Sequence, residues 1–474
     1  MTTRKRFGLD LSPLRTSRDY RLVFTGGTVS AFGSFITYVT IPYQVARLTD
    51  DPLMVGLLGV CELVPLLVMA FVGGALADYL DRRLLVRGGE FALTALTGVL
   101  LVNALSNEPH LWLLYVIAAL AATVDGLQRP AVEAMVPRLV EPEQLPAVMA
   151  LQSLGMQVAQ LGGPALAGLL ISAVDLAWVY AFDLATFAVS LTCLTLVRAV
   201  SPPPDADRPS IRSVVTGLRY ARSRPELLGT YLVDINAMFF GMPQALYPFL
   251  ATQLGGPRVL GLLYAAPAVG SMVATLTSSW TARVHRHGLL VLIAATFWGI
   301  GIVGVGLSGT LWLTLFCLAF AGAADMVSGI FRATMWGQTI PDHLRGRLAG
   351  IEMLSYTTGP LLGQLRSGMM ARTRLGVTGS IWVGGVLCVA GCAALAASLP
   401  QFLRYDGKDG LARKKAADAA WLARSSPDHA LDDGPGLGPV EGGSGERQVH
   451  DQPLDERVDP AGGHRVDETF QHGA

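Results

Sequence analysis

Twelve stretches of the chain run for about twenty residues with few charged positions, the length an α-helix needs to cross the hydrocarbon core of a bilayer. They fall at 22–46, 54–77, 84–105, 111–132, 145–172, 177–198, 227–250, 259–281, 289–307, 311–336, 348–371 and 377–399, with short polar segments between them. In lipid every backbone N–H and C=O must be satisfied within its own helix or in a closed barrel. The pattern therefore predicts an all-α membrane protein with twelve spanning helices. Residues 199–226 interrupt it: Pro202-Pro203-Pro204 is followed by an amphipathic stretch, Ile211 to Arg222, with Val214, Val215, Leu218 and Tyr220 among arginines. That stretch predicts a helix lying on the membrane surface. After Arg404 the chain becomes polar and rich in Gly, Asp and Pro, which predicts a disordered tail apart from a short helix around Leu411 to Leu422.

Composition agrees, with 51% hydrophobic residues, 15% charged and a mean hydropathy of +0.44, too apolar for a soluble chain of this length. The distribution of cations sets the orientation. One set of loops holds Arg82, Arg83, Arg87, Arg138, Arg283, Arg286, Arg345 and Arg347, together with the basic N-terminus and the 199–226 segment. The opposite loops hold only Arg47, Arg258, Arg372 and Arg374. By the positive-inside rule both termini are cytoplasmic. Met1 to Tyr20 has no short apolar core before a small-residue cleavage site, so no cleavable signal peptide is expected. Five cysteines lie inside apolar windows without C-x-x-C spacing, and no disulfide framework or metal site is indicated.

The two halves of the chain echo each other. Val136-Pro137-Arg138-Leu139 and the later Gly163-Pro164 find counterparts in Ile340-Pro341-Asp342-His343-Leu344 and Gly363, at an offset of about 200 residues. The expected organisation is an N-terminus (1–20), a first six-helix bundle (21–198), a cytoplasmic linker (199–226), a second six-helix bundle (227–403) and a tail (404–474). A parallel repeat of this kind places a substrate cavity between the halves near mid-membrane.

Gly73-Gly74-Ala75-Leu76-Ala77-Asp78-Tyr79-Leu80-Asp81-Arg82-Arg83 carries an apolar helix end straight into acids and arginines. Gly74 permits close helix approach, and Asp78 can cap a helix N-terminus or pair with Arg82 or Arg83, so these four residues form a candidate gate. The alternative, a simple positive-inside anchor, stays open for Arg83. In the second half Arg283 stands where Asp78 stands in the first.

Ionisable residues inside the spans are costly unless paired or wet, and they mark functional positions. Glu62 lies about 24 Å along its helix from Asp78 at 1.5 Å per residue. Asp125, Arg129 and Glu133 share one face at i, i+4 and i+8. Asp234 has no basic residue within a turn. Glu62, Asp125 and Asp234 are the candidates for proton coupling, with ion pairing or helix packing as the plainer alternative. Asp183 and Glu352 read as interfacial and capping groups. Arg129, Gln157, Asn236, Phe240, Gln244, Tyr247, Tyr264 and Arg332 are the candidate cavity residues, a mixture of polar and aromatic groups suited to an amphipathic ligand. Gly241 and Pro243 are expected to break the seventh helix.

No phosphate-binding G-x-x-x-x-G-K-[ST] stretch occurs, and the histidines fall in loops and the tail. Neither an enzyme nor an ATP-driven pump is indicated, no cofactor is called for, and the chain is not expected to bind nucleic acid. The Gly73 to Arg83 loop resembles the signature loop of major facilitator transporters, G-x-L-x-D-R-x-G-R-[RK], with Tyr79 and Asp81 departing from its commonest form. Thr37 to Val45, Val55 to Pro65, Gly261 to Pro267, Gln338 to Pro341 and Gly346-Arg347 are similar to the enterobactin exporter branch of that superfamily, where an acid at the position of Asp81 also occurs. The resemblance implies a monomeric secondary exporter in the inner or plasma membrane. It would move a siderophore or amphipathic drug-like molecule outward in exchange for protons, by alternating access. The alternatives are a multidrug or macrolide exporter without a siderophore role, an uptake symporter, and a transport-inactive receptor or scaffold.

Overall fold

The computed structural model describes residues 10–79, 81–198, 222, 224–341 and 345–425 and, within them, all side chains except those of 70–79, 134, 345–347, 349–351, 353–354, 417 and 420–425. Nearly all of the surface helix expected at 211–222, and the tail beyond 425, lie outside the described residues. Among them the long helices are α1 (Arg18–Thr49), α2 (Pro52–Tyr79), α3 (Arg82–Leu105), α4 (Leu111–Met135), α5 (Leu145–Ala173), α6 (Leu176–Thr195), α7 (Pro225–Gly241), α8 (Tyr247–Leu254), α9 (Pro257–Leu276), α10 (His287–Leu307), α11 (Leu311–Thr339), α12 (Arg345–Ala371), α13 (Gly376–Ser398) and α14 (Gly407–Ser425). Every apolar window is helical. Ten of these helices are long and apolar enough to cross a membrane. The two remaining windows differ for local reasons. The seventh is split into α7 and α8, and the middle of α12 is diluted by Ser355, Tyr356, Thr357, Thr358 and Gln364.

Short-range chemistry sets several boundaries. The Ser17 hydroxyl accepts the Tyr20 amide at 3.1 Å and caps α1. Asp81 accepts the Arg83 amide at 2.9 Å and caps α3, supplying an acceptor to the otherwise unpaired first-turn N–H groups. The residue that departs from the commonest motif thus has a helix-starting role. The break after α7 falls at Met242-Pro243, where proline has no N–H to continue the ladder. Gly241 lies against the Trp298 indole, which donates to the Ala237 carbonyl at 3.2 Å.

The packing repeats between halves. In the first, α1 packs on α5 and α6, α3 on α4 and α6, and α2 on α4. In the second, α7 packs on α12 and α13, α10 on α11 and α13, and α9 on α11. Each of these contacts of one half has its counterpart in the other, as two six-helix bundles in parallel repeat require. Large apolar side chains such as Phe91, Val102 and Phe316 stay exposed on the outside, as expected of a lipid-facing surface. Exposed Trp112, Trp178 and Trp312 stand at the starts of α4, α6 and α11, all at the end where α1 meets α2. Tryptophan favours the interfacial level of a bilayer.

At the other end, where α2 meets α3, the chain after α13 folds back onto the second half. Phe402 is fully buried against Gly229 of α7 and Gly288 of α10. The Tyr405 and Thr339 hydroxyls are 3.1 Å apart, and the Gly407 amide donates to the His285 carbonyl at 3.0 Å. The helix expected around Leu411 to Leu422 is present and longer, as α14. Phe402→Ala is expected to destabilise the second half by about 3 to 5 kcal/mol through the cavity it leaves. A thermal melt of the detergent-solubilised protein reads this as a lower midpoint.

Candidate transport cavity

Glycines bring the two halves together at the α1–α2 end. α2 meets α12 where Gly56 and Gly59 lie against the backbone of Leu361 and Gln364, and where Gly368 lies against Pro52 and Leu53. α5 meets α9 where Gly168 lies against Gly261, so closely that a Cβ on Gly168 would stand 2.7 Å from the Gly261 amide nitrogen. Backbones approach this closely only without side chains, which is how small residues drive helix association in lipid. Polar contacts reinforce the seams: Arg372 pairs with Asp51 at 3.8 Å, Arg258 donates to the Ser172 hydroxyl at 3.4 Å, and the Tyr38 hydroxyl donates to Gln244 at 2.6 Å. All three join the first half to the second.

Beneath these seams sits an aromatic group built from both halves. Tyr38 of α1 meets Tyr264 of α9 edge to face at 5.8 Å, and Tyr264 meets Tyr247 in the same way at 4.9 Å. The Tyr264 hydroxyl donates to the Gln244 carbonyl at 3.4 Å. Glu62 of α2 is close enough for its charge to act on Tyr38 and Tyr264. Glu62, Gln244, Tyr247 and Tyr264, all expected from the sequence as candidates, therefore converge. Tyr38 joins them although its sequence context offers no signal beyond a polar aromatic in an apolar window.

Further along, toward the α2–α3 end, a charged group joins three helices of the second half. Arg332 of α11 is buried and ion-paired with Asp234 of α7, with Asp325 at 3.7 Å and Glu352 acting on it from α12. The Ser355 hydroxyl donates to Asp234 at 3.1 Å. Asp234 has no cation on its own helix, but α11 supplies one. Glu352 joins this group instead of capping α12. On the first half Arg129 pairs with Glu133 at 3.4 Å, is close to Asp125, and lies over the Tyr356 ring of α12 at 5.8 Å. Asp125, Arg129 and Glu133 are exposed along the last three turns of α4, as the walls of an aqueous opening would be.

Other candidates go elsewhere. Asn236 donates to the Cys388 carbonyl at 3.0 Å and packs α7 on α13. Phe240 stacks edge to face on Phe239 at 4.9 Å and is partly buried against the core. Gln157 is half-buried. At the gate, Arg82 is buried and Arg83 donates to the Thr195 carbonyl at 2.8 Å, tying α3 to the end of α6. Gly74 and Asp78 fall in the last turns of α2, but their side chains lie outside the described residues. Sequence reasoning passed over Glu90 of α3, which accepts from Ser190 at 2.9 Å and Ser30 at 3.3 Å. Asp183 is also fully buried, accepting from Thr37 and Thr186, and so is not interfacial. An ionisable residue inside an apolar window was the signal available for Glu90. The hydroxyls that satisfy it come from α1 and α6.

Residues 9–418 match a family described as transmembrane secretion effectors. The chain is 30% identical over 365 residues to the enterobactin exporter EntS of Shigella dysenteriae serotype 1 (strain Sd197), covering 75% of this chain and 86% of that protein. The EntS protein of Escherichia coli O81 (strain ED1a) is similar to the same extent. Among solved structures, a bacterial homolog of the human lysosomal transporter Spinster superposes with a TM-score of 0.63 at 14% identity, covering 84% of this chain and 98% of that one. A bacterial homologue of the iron transporter ferroportin gives 0.61 at 15% identity, covering 82% and 99%. These likenesses share the fold.

Arg332→Ala leaves the Asp234 carboxylate buried without its cation and is expected to cost about 3 to 5 kcal/mol. Adding Asp234→Asn removes the orphaned charge and is expected to recover a large part of that loss. Thermal denaturation of the two single variants and the double variant measures the coupling, and additive losses would count against the pair.

Proposed function

The chain belongs to the transmembrane secretion effector family, a branch of the major facilitator transporters, and from that membership we propose that it exports an amphipathic small molecule from the cytoplasm by alternating access. A siderophore or a drug-like compound is the cargo, and protons moving inward supply the energy. Both termini face the cytoplasm on this reading, because the cation-rich loops lie at the α2–α3 end. The α1–α2 end is then the outer face. The observation that carries the proposal is the location of the inter-half seams. They gather at the outer end around Gly56, Gly59, Gly168 and Gly261, while exposed Asp125, Arg129 and Glu133 mark an opening toward the cytoplasm. That arrangement suits loading from inside. The same bundles rocking about the midplane would part the outer seams and bring the gate residues Gly74, Asp78, Arg82 and Arg83 against the second half.

Coupling needs a group that carries a proton in one state and releases it in the other. Glu62 is placed for this beneath the outer seams, beside the aromatic group. Protonation of Asp234 would loosen its pair with Arg332 and leave the guanidinium to Asp325 and Glu352, so that a proton arriving there changes the charge of the helix contact between α7 and α11. Asp125 is a third candidate, one turn from Arg129 on the same helix.

Efflux from cells tests the reading. Cells with the wild-type protein should retain less of a tris-catecholate siderophore or a macrolide than cells lacking it, and a protonophore should abolish the difference. Asp78→Asn should lower efflux several-fold at unchanged protein level. Truncation after Ser425, which spares the packing of Phe402 and Tyr405, should leave efflux intact, whereas a receptor signalling through its tail would fall silent. Retention that is the same with and without the protein removes the export proposal.

A further inference from the structure

The first half carries a groove that the transport chemistry does not use. Near the α2–α3 end, a cavity of about 440 Å³ lies between α3 and α6, lined by Leu84, Arg87, Gly88, Phe91, Leu191 and Thr195. The α3 positions fall at i, i+3, i+4 and i+7, so one stripe of that helix forms the wall. Gly88 keeps it open, since even a Cβ there would meet nothing within 4 Å. Leu84 and Phe91 are exposed, as side chains in contact with lipid are.

The charge in this groove is uncompensated. Among the described residues Arg87 has no ion pair or hydrogen bond. Glu90, the nearest acid further along α3, is turned onto Ser30 and Ser190. Asp81 is taken up by the Arg83 amide, and Asp19 by Arg198 at 3.9 Å. Arg83, one turn before Arg87, gives one guanidinium N–H to the Thr195 carbonyl at 2.8 Å and keeps its Nε buried without an acceptor. Two cations at i and i+4 repel each other, and a buried N–H without an acceptor carries an uncompensated desolvation cost. An anion between them answers both.

Arg87 lies about 7.5 Å along α3 from its first residue at 1.5 Å per residue, a depth from which an arginine stem lies along acyl chains while its head reaches the headgroups. We propose that this groove binds an anionic phospholipid of the leaflet at that end, with Arg87 and Arg83 on the phosphate and an acyl chain on Leu84, Phe91 and Leu191. A guanidinium matches two phosphate oxygens at once. A zwitterionic lipid offers the same phosphate but brings an ammonium against two guanidiniums, and free phosphate leaves the apolar wall uncovered. Basic pockets between spanning helices on the cytoplasmic side are the usual setting for such headgroups. The bound lipid reinforces the Arg83 contact that ties α3 to α6. The inference goes beyond the export reading and takes from it only that this leaflet is the cytoplasmic one.

Phosphatidylglycerol and phosphatidylcholine with the same chains, titrated into the full-length protein in detergent and counted by native mass spectrometry, test it. The first phosphatidylglycerol is expected to bind about fivefold or more tighter than phosphatidylcholine, and excess inorganic phosphate is expected to leave it in place. Arg87→Gln should remove most of that preference. Gly88→Leu, which fills the groove from a position with open space around it, should weaken phosphatidylglycerol about as much, and it carries the test if Arg87→Gln does not fold by thermal melt. Arg286→Gln, which removes an exposed cation at the same end of the second half, should change nothing. Equal binding of the two lipids, displacement by inorganic phosphate, binding unchanged in both groove variants, or a loss in Arg286→Gln equal to that in Arg87→Gln overturns the proposal. Lipid binding is read without transport, so cellular retention judges the export reading separately.

Discussion

Close backbone contact between helices at glycine is the constraint on which the rest of this molecule depends. In lipid, side chains gain nothing by leaving an apolar solvent for an apolar neighbour, so helices associate by packing and polar contacts. Gly56, Gly59 and Gly368 on one seam, and Gly168 and Gly261 on the other, let the two bundles touch along their backbones at one end. Because the seams join α2 to α12 and α5 to α9, they are related by the same repeat that relates the bundles. Contacts between two surfaces at one end permit rocking, whereas contact along the whole length would prevent it. The cavity follows from that geometry: the halves meet above it, and the charged groups of α4, α7, α11 and α12 face each other below.

The polar groups obey two different rules. Inside each half, Glu90 and Asp183 are satisfied by hydroxyls of neighbouring helices and hold the first bundle together. Asn236 does the same between α7 and α13. Between the halves, charges stay accessible or pair in ways that a moving contact can break. Asp234 and Arg332 stand between these classes, buried like the first and ionic like the second. A buried pair of this kind is weak evidence for stability and better evidence for a switch or a registry device.

Much of this was legible in the chain. The apolar windows located each helix because length and hydrophobicity alone decide what can cross a bilayer. The break at Gly241 and Pro243 was visible as a missing N–H beside a residue without a side chain. The resemblance of the Gly73 to Arg83 loop named the superfamily. Its chemistry was only partly legible: attention fell on Asp78, while the described cap on α3 is Asp81, one turn further on. Less was legible wherever a partner comes from a distant helix. Nothing near Asp234 announces Arg332, nothing near Glu90 announces Ser30 and Ser190, and Asn236, polar in an apolar window, looks as much like a cavity residue as like the packing residue it is. Helical periodicity reports which face a residue occupies, and only the packing of the bundle decides what that face meets.

The central claim is that the two ends of the molecule open in opposition. Spin labels at Leu53 of α2 and Arg374 beyond α12 report the seam end, and labels at Leu84 of α3 and Thr281, between α9 and α10, report the other. Distances between each pair are measured by pulsed electron resonance, with and without saturating transported substrate and across a pH change. The account predicts that conditions lengthening the first distance shorten the second. Two distances that stay fixed, or that rise and fall together, would contradict it.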